Sequence, residues 1–370
     1  MKVLFILNIP SPYRVRFLDL LSEKCDLTVI YDRHTAADRD NDWYVKSEKK
    51  YKEMYLKGIN YSNDAAVTIG ISKYLKKGKY DVIVLGGYAT FTQMISIVLL
   101  RIRGIPYCLN ADGIIATPEK TLKYFVKRFF IQGASRYLST GKATDDFFAN
   151  HGAMRGRIKR YHFTSLNKDD ILNNLISREE KSSLKCKIGC ETSNMILSVG
   201  SPIHRKGFDV LLESMENLEI EADLFIVGGE PNAECQDIVN KYNLQHIHFL
   251  PFVNGNGLTE YYKAADLFVL PTRYDIWGLV INEALAYGLP VITTNMCNAG
   301  LELVSEGDNG YIVPSEDADS LSKAISKALT IDDREKQGRS SLERIKPYNL
   351  ENMADEHVKI FEEMIQLQER

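Results

Sequence analysis

The sequence predicts two doubly wound α/β domains, each a parallel sheet wrapped by helices. Three observations predict it. The chain has 370 residues, enough for two domains at roughly 100–200 residues each. Short β-branched runs alternate with amphipathic stretches along most of its length, which is the pattern of βαβ units. The alternation breaks once, in a polar stretch around 165–193, and then restarts. With 45% hydrophobic and 26% charged residues, the composition excludes a disordered chain, a collagen-like chain and a small disulfide scaffold.

The elements follow in order. In the first half, strands are expected at 3–7, 27–31, 82–85, 106–109, 136–139 and 160–163, with helices at 14–22, 89–100, 122–131 and 142–150. The segment 32–60 is polar and without clear period, and reads as an irregular excursion. The second half places strands at 195–199, 224–227, 248–250, 267–270 and 291–293, and helices at 208–215, 237–242, 258–264, 279–287, 318–329 and 353–368. The first domain is expected at 1–170, a linker at 171–193, the second domain at 194–348, and a closing helix in 349–370 packing back on the first domain. Doubly wound sheets bind ligands at the carboxyl ends of their strands, so two facing domains would hold substrates in a cleft between them.

No apolar run reaches the ~20 residues of a membrane-spanning helix. The nearest, 94–100, stops at Arg101 and Arg103. The N-terminal run 1–8 is too short for a signal-peptide core and better suits a buried first strand. Six scattered cysteines lack the spacing of a zinc knuckle or a redox pair, and read as reduced thiols of a cytoplasmic protein.

Charge divides the chain. Residues 1–170 hold 28 Lys and Arg against 17 Asp and Glu, a net of +11, and the rest hold 18 against 32, a net of −14. A basic half in a neutral protein points to an anionic partner, whether a membrane surface, a phosphorylated lipid or nucleic acid; the alternative is drift in surface composition.

Two segments of the second half carry chemistry. The strand Met195-Ile196-Leu197-Ser198-Val199 runs into Gly200-Ser201-Pro202-Ile203-His204-Arg205-Lys206-Gly207-Phe208. A glycine turn, two adjacent cations and a helix start suit a diphosphate. Farther on, Leu267-Phe268-Val269-Leu270-Pro271-Thr272 is a buried strand and its end, followed by Asp275, Gly278, Leu279 and Glu283. Asp275 falls in the loop and Glu283 about one turn into the next helix. Two carboxylates and a helix N-terminus therefore converge beside the sheet. On spacing alone, Asp275 could equally cap the helix and Glu283 sit on a solvated face.

Here the resemblance becomes specific. The second half resembles the donor domain of a retaining family 4 glycosyltransferase of GT-B architecture, which implies two facing Rossmann-like domains with an interdomain cleft. It resembles the family at Gly200-Ser201…Lys206-Gly207, at Val227-Gly228-Gly229-Glu230-Pro231, at Ala265-Asp266-Leu267-Phe268-Val269-Leu270-Pro271, at the acid pair Asp275 to Glu283, and at Asn309-Gly310-Tyr311-Ile312-Val313-Pro314. The match runs through residues 195–315 in order. The first half resembles the family only in layout and in Asn8-Ile9-Pro10-Ser11-Pro12-Tyr13-Arg14. The resemblance implies that Lys206 neutralises the nucleotide diphosphate, that Glu283 accepts the ribose hydroxyls, and that Asp275 lies against the donor sugar. Gly200, Gly228 and the backbone at Gly278 and Leu279 complete the donor-binding set. Two positions depart from the family: Ser201 stands where an Arg is usual, with Arg205 as the candidate replacement, and Asp275 stands where the first Glu is usual.

The implied reaction moves a sugar from a nucleotide-sugar, expected to be a UDP-sugar, to a saccharide hydroxyl with retention, and needs no metal or other cofactor. Asp38-Arg39-Asp40 spells a metal pair but lies in the polar excursion. Asp112, after the strand at 106–109 and within Asn110-Ala111-Asp112-Gly113, is a catalytic candidate by its strand-end position; an ordinary Asp-Gly turn is the alternative. The segment Lys120-Thr121-Leu122-Lys123-Tyr124-Phe125-Val126-Lys127-Arg128-Phe129-Phe130-Ile131 is both basic and aromatic. It suits an anionic membrane surface, or else a helix packing its apolar residues on its own sheet. With the basic half, it points to a peripheral enzyme on the inner face of the cytoplasmic membrane, acting on a lipid-diphosphate-linked saccharide in surface-polysaccharide assembly.

Rival readings are a nucleotide-sugar epimerase or hydrolase of the same architecture, and a non-catalytic glycosyltransferase-like subunit. A dinucleotide dehydrogenase is disfavoured, because Gly255-Asn256-Gly257 is followed by Glu260 where a third glycine should stand. No nucleic-acid module is legible, and no nucleic-acid partner is expected.

Overall fold

The structure, a computed structural model, describes residues 1–34, 49–62, 65–115, 122–253, 256–331 and 334–368. The chain divides into two compact units. One comprises Met1–Ser165 with Tyr348–Arg370, the other Leu166–Pro347.

The first unit runs β1 (Lys2–Leu7), α1 (Pro12–Ser22), β2 (Asp26–Tyr31), β3 (Lys52–Tyr55), β4 (Lys57–Ser62), β5 (Ala65–Ile69), β6 (Val82–Leu85), α2 (Phe91–Ile102), β7 (Cys108–Asn110), α3 (Leu122–Ile131), β8 (Arg136–Ser139), α4 (Lys142–Asn150) and β9 (Ile158–Arg160). Seven of these strands form one sheet in the order β3-β2-β1-β6-β7-β8-β9, every pair parallel. The direction of winding switches between β1 and β6. Alternate residues face opposite sides of such a sheet. Leu4, Ile6, Ile83, Leu85 and Leu109 share a core with Ile97, Leu100 and Phe147, while Phe5 meets Phe17 of α1 on the other side.

Two expectations are corrected here. The excursion at 32–60 contains β3, which extends the sheet, and most of β4, which pairs antiparallel with β5. An edge strand such as β3 keeps Lys52 and Glu53 exposed, so it lacks the continuous apolar run that marks a buried strand. The last strand is β9, which begins and ends earlier than the expected 160–163; Tyr161 and Phe163 beyond it are buried. Asp38-Arg39-Asp40 lies outside the described residues.

The second unit runs α5 (Arg178–Lys187), β10 (Met195–Val199), α6 (Phe208–Glu216), β11 (Asp223–Val227), α7 (Ala233–Lys241), β12 (Ile247–Leu250), α8 (Asn256–Ala264), β13 (Leu267–Leu270), α9 (Leu279–Ala286), β14 (Val291–Thr294), α10 (Asn298–Leu303), β15 (Gly310–Val313), α11 (Ala318–Thr330) and α12 (Arg334–Ile345). Its sheet is parallel throughout, in the order β12-β11-β10-β13-β14-β15. The winding switches between β10 and β13, which places the two chemistry-bearing segments side by side at the switch point.

The stretch expected as a linker, 171–193, contains α5 and belongs to the second unit. Ser177 caps this helix by accepting from the Glu180 amide at 3.1 Å. It docks through lysines rather than an apolar stripe: Lys181 donates to the Ala265 carbonyl at 2.7 Å and Lys185 pairs with Asp266. Helix α12 is equally polar and was not expected; Ser341 donates to the Leu289 carbonyl at 2.8 Å. The last helix, α13 (Leu350–Gln368), is part of the first unit. Phe361 packs on Phe5 at 6.2 Å and His357 on Phe17 at 4.7 Å. Ion pairs from Lys24 to Asp355 at 2.8 Å and from Lys159 to Glu363 at 2.5 Å flank that contact.

Candidate active site

In the second unit, Val199 ends β10 and the chain turns at Gly200 and Ser201 into a short 3-10 turn, His204–Lys206, before α6. The turn after β11 packs against it backbone to backbone. Gly228 has φ +139°, and a Cβ there would stand 2.5 Å from the Gly200 carbonyl oxygen, so only glycine fits. Ser201 is exposed.

The segment after β13 faces this turn. Lys206 Nζ donates to Asp275 Oδ2 at 2.8 Å, and both side chains are about nine-tenths buried. Arg205 Nη1 lies 3.4 Å from the same oxygen and donates to the Tyr274 carbonyl at 2.8 Å. Two cations thus share one carboxylate, leaving a net positive charge beside the start of α9. Gly278 begins that helix at φ +99°, where a Cβ would meet Cys297 Sγ at 2.7 Å. Leu279 is its first residue. The N-terminal amides and the paired cations make this corner receptive to a phosphate group.

Glu283 lies farther along α9. The hydroxyl of Tyr262 donates to Glu283 Oε2 at 2.9 Å. Burial and the Glu283 charge push this phenol well above its ordinary range, so it stays a donor and fixes the carboxylate. The Tyr262 ring stacks on Tyr287 with centroids 5.3 Å apart.

Several positioning contacts were not anticipated from sequence. Arg273 grips Asp209 through both terminal nitrogens, at 2.8 and 2.5 Å, and donates to the His204 carbonyl at 2.7 Å. Burial works against the Asp209 charge, but the Arg273 fork outweighs it and holds the carboxyl below its ordinary value. This clamp fixes the turn that carries Lys206. The loop 275–278 is fastened from the other side: the Asp275 amide donates to the Met296 carbonyl at 2.9 Å, Asn298 Nδ2 to the Ile276 carbonyl at 2.7 Å, and buried Trp277 to Asn282 at 2.8 Å. Cys297, pushed up to about 12 by burial, is an unreactive thiol. His204, Asp209 and Glu234 bring ligand atoms within 4.8 Å of one another, but both Asp209 oxygens are bound to Arg273, which leaves an exposed His and Glu.

Asp112 lies in the other unit, just past β7. It pairs with Arg14 of α1, and the Tyr161 hydroxyl is 3.2 Å from its Oδ1. Arg14 and Tyr161 are buried. This polar cluster sits at the carboxyl end of the first sheet, among the loops where doubly wound units bind ligands.

Helix α3 packs Phe130 and Ile131 on the core of its own unit but leaves another face uncovered. Leu122, Phe125, Val126 and Phe129 are 77, 62, 47 and 49% exposed. Their spacing puts them on one face, with Lys123, Lys127 and Arg128 on the same helix. Lys120 is outside the described residues. Among the described residues no helix is long and apolar enough to cross a membrane.

Residues 182–344 match the model of a family described as glycosyl transferases group 1. The second unit thus resembles the group 1 glycosyl transferases, over a match that spans less than half of the chain. The chain is similar to WaaG of Escherichia coli, a lipopolysaccharide glucosyltransferase, with 31% identity over 145 residues, covering 38% of each chain. It is 32% identical over 160 residues to an uncharacterized glycosyltransferase of Methanocaldococcus jannaschii, spanning 41% of that protein's length. A 41.2 kDa uncharacterized protein from the cps region of Klebsiella pneumoniae is 24% identical over 317 residues, covering 80% of this chain and 85% of that one. Among solved structures, Anabaena HepE in complex with UDP aligns over 100% of both chains with a TM-score of 0.74 and 16% identity. The chain therefore has the GT-B fold, with two Rossmann-like α/β units.

Proposed function

We propose that this chain is a glycosyltransferase that moves a glycosyl group from a UDP-sugar to a hydroxyl of a lipid-diphosphate-linked saccharide, with retention, in surface-polysaccharide assembly. The observation that carries the donor half is the Lys206–Asp275–Arg205 cluster at the switch point of the second sheet. Lys206 meets the diphosphate, and Arg205 supplies the second cation that Ser201 does not. Asp275 lies against the sugar, and Glu283 takes the ribose hydroxyls. The bond from the anomeric carbon to the diphosphate oxygen breaks and one to the acceptor oxygen forms on the same face. The leaving diphosphate receives the acceptor proton, so the enzyme needs no nucleophile of its own. Negative charge develops on that diphosphate, where the two cations and the α9 amides stabilise it; no metal ion is required in this scheme. Asp112 acts as the acceptor-side catalytic group.

HepE is described in complex with UDP and with UDP-glucose, which supports the uridine donor. The WaaG and cps-region relatives support the acceptor class. The exposed stripe of α3 supports attachment at an anionic lipid surface, since apolar side chains beside lysines suit the headgroup boundary.

The test is thermal stabilisation by UDP, GDP and ADP and their sugars, in wild type and Glu283→Ala. Ligand at 100 times its dissociation constant stabilises by about 2.7 kcal/mol. A shift with UDP that Glu283→Ala loses is expected. No shift with any nucleotide from folded protein would instead favour the non-catalytic subunit.

A further inference from the structure

We infer that Arg14 is a positioning residue for Asp112: it holds one carboxylate oxygen so that the other is presented to a sugar hydroxyl. The inference rests on the acceptor-side role proposed above for Asp112.

The two oxygens of Asp112 have unequal surroundings. Oδ1 receives the Arg14 guanidinium, Asn110 Nδ2 at 3.0 Å, and a share of the Tyr161 hydroxyl, which lies 3.2 Å away and also 3.0 Å from Asn110 Oδ1. With about two lone-pair sites per carboxylate oxygen, these donors leave Oδ1 no capacity to spare. Oδ2 has the Tyr13 hydroxyl at 3.5 Å, the outer limit of a hydrogen bond. The carboxylate is 23% exposed, so a ligand can reach it. A sugar hydroxyl is the fitting partner, because it donates the short hydrogen bond that Oδ2 does not have from Tyr13.

Arg14 is built into place for this task. It is 4% exposed and lies 98 residues from Asp112 in the chain. Its guanidinium sits 5.7 Å from the Phe163 ring centre and 5.8 Å from that of Tyr13. Burial opposes its charge, but Asp112 more than restores it. A buried ion pair stabilises a fold no better than packed apolar side chains do, so stability alone is a weak reason for this one.

The test is a double-mutant cycle on UDP release from UDP-glucose, UDP-galactose or UDP-N-acetylglucosamine, whichever the wild type turns over. Variants are Arg14→Met, Arg14→Lys, Asp112→Asn and Arg14→Met with Asp112→Asn; Tyr161→Phe stands in if Arg14→Met fails to fold. Each single variant is expected to lower kcat by about tenfold or more, with UDP affinity unchanged. Arg14→Lys should recover part of the loss, and the double variant should be no slower than Asp112→Asn. A merely structural Arg14 would instead multiply the two losses, because independent effects add in free energy. Multiplied losses, or wild-type kcat in Arg14→Met or in Asp112→Asn, overturn the inference. A wild type that neither binds UDP nor turns over any of the three sugars brings down the transferase reading, and this inference with it.

Discussion

Lys206 and Asp275 illustrate how single residues set the chemistry. They lie 69 positions apart in the chain yet meet at 2.8 Å with both side chains mostly buried. A hydrogen bond to a charged group contributes about 1.5–3 kcal/mol, so Lys206→Ala should weaken UDP binding roughly ten- to a hundredfold, read by titration calorimetry. His357 offers a pH test. Its Nδ1 bonds the Met353 carbonyl at 2.7 Å, and burial pushes the imidazole down to about 4 from 6.5. The folded state keeps it neutral, while the unfolded chain takes up a proton below about 6.5. Its stability contribution is therefore complete above pH 6.5 and is lost as pH falls toward 4. At about 1.4 kcal/mol per pH unit, some 2 kcal/mol should be lost by pH 5. Urea denaturation at pH 7 and pH 5 checks this, and His357→Gln should flatten the difference.

Helices α3 and α5 show what element-level patterning conveys. The spacing in α3 was legible as a basic, aromatic helix, but the side its apolar stripe faces was not, because periodicity fixes a face without naming what covers it. In the structure that face is exposed. Phe125→Ser with Phe129→Ser should leave the melting temperature nearly unchanged, as exposed sites usually do. Binding to phosphatidylglycerol vesicles should fall by at least about tenfold, since each buried Phe contributes about 1.5–3 kcal/mol. Vesicle sedimentation measures it; equal binding of wild type and variant would remove α3 from the membrane reading. Helix α5 escaped notice for the opposite reason. Its mean composition is that of a linker, and its attachment to the sheet runs through the lysine contacts of Lys181 and Lys185.

At the scale of the whole molecule, the chain's end completes its beginning. Phe361 and His357 of α13 are fully buried in the first unit, so that unit depends on residues that follow the entire second unit. Phe361→Ala should destabilise it by about 3–5 kcal/mol, the cost of a large cavity. Stabilisation by UDP should persist in that variant, because Lys206, Asp275 and Glu283 belong to the other unit. Calorimetry with and without UDP reads both effects.

Most of the buried parallel strands and their helices were legible in the sequence, and the segments from Gly200 to Glu283 and at Asp112 were singled out there as candidates; β3, β4, β5, α5, α10, β15 and α12 were not read from it. Buried parallel strands are continuous apolar runs, and strand-end loops carry their polar residues in fixed spacing. Only the tertiary structure decided which distant side chains hold those residues. Arg273 clamps Asp209, Tyr262 holds Glu283, Asn298 fastens the loop of Asp275, and Arg14 fills one oxygen of Asp112. These partners come from separate strands and helices. Their meeting depends on sheet order and crossover, which no local pattern of residues encodes.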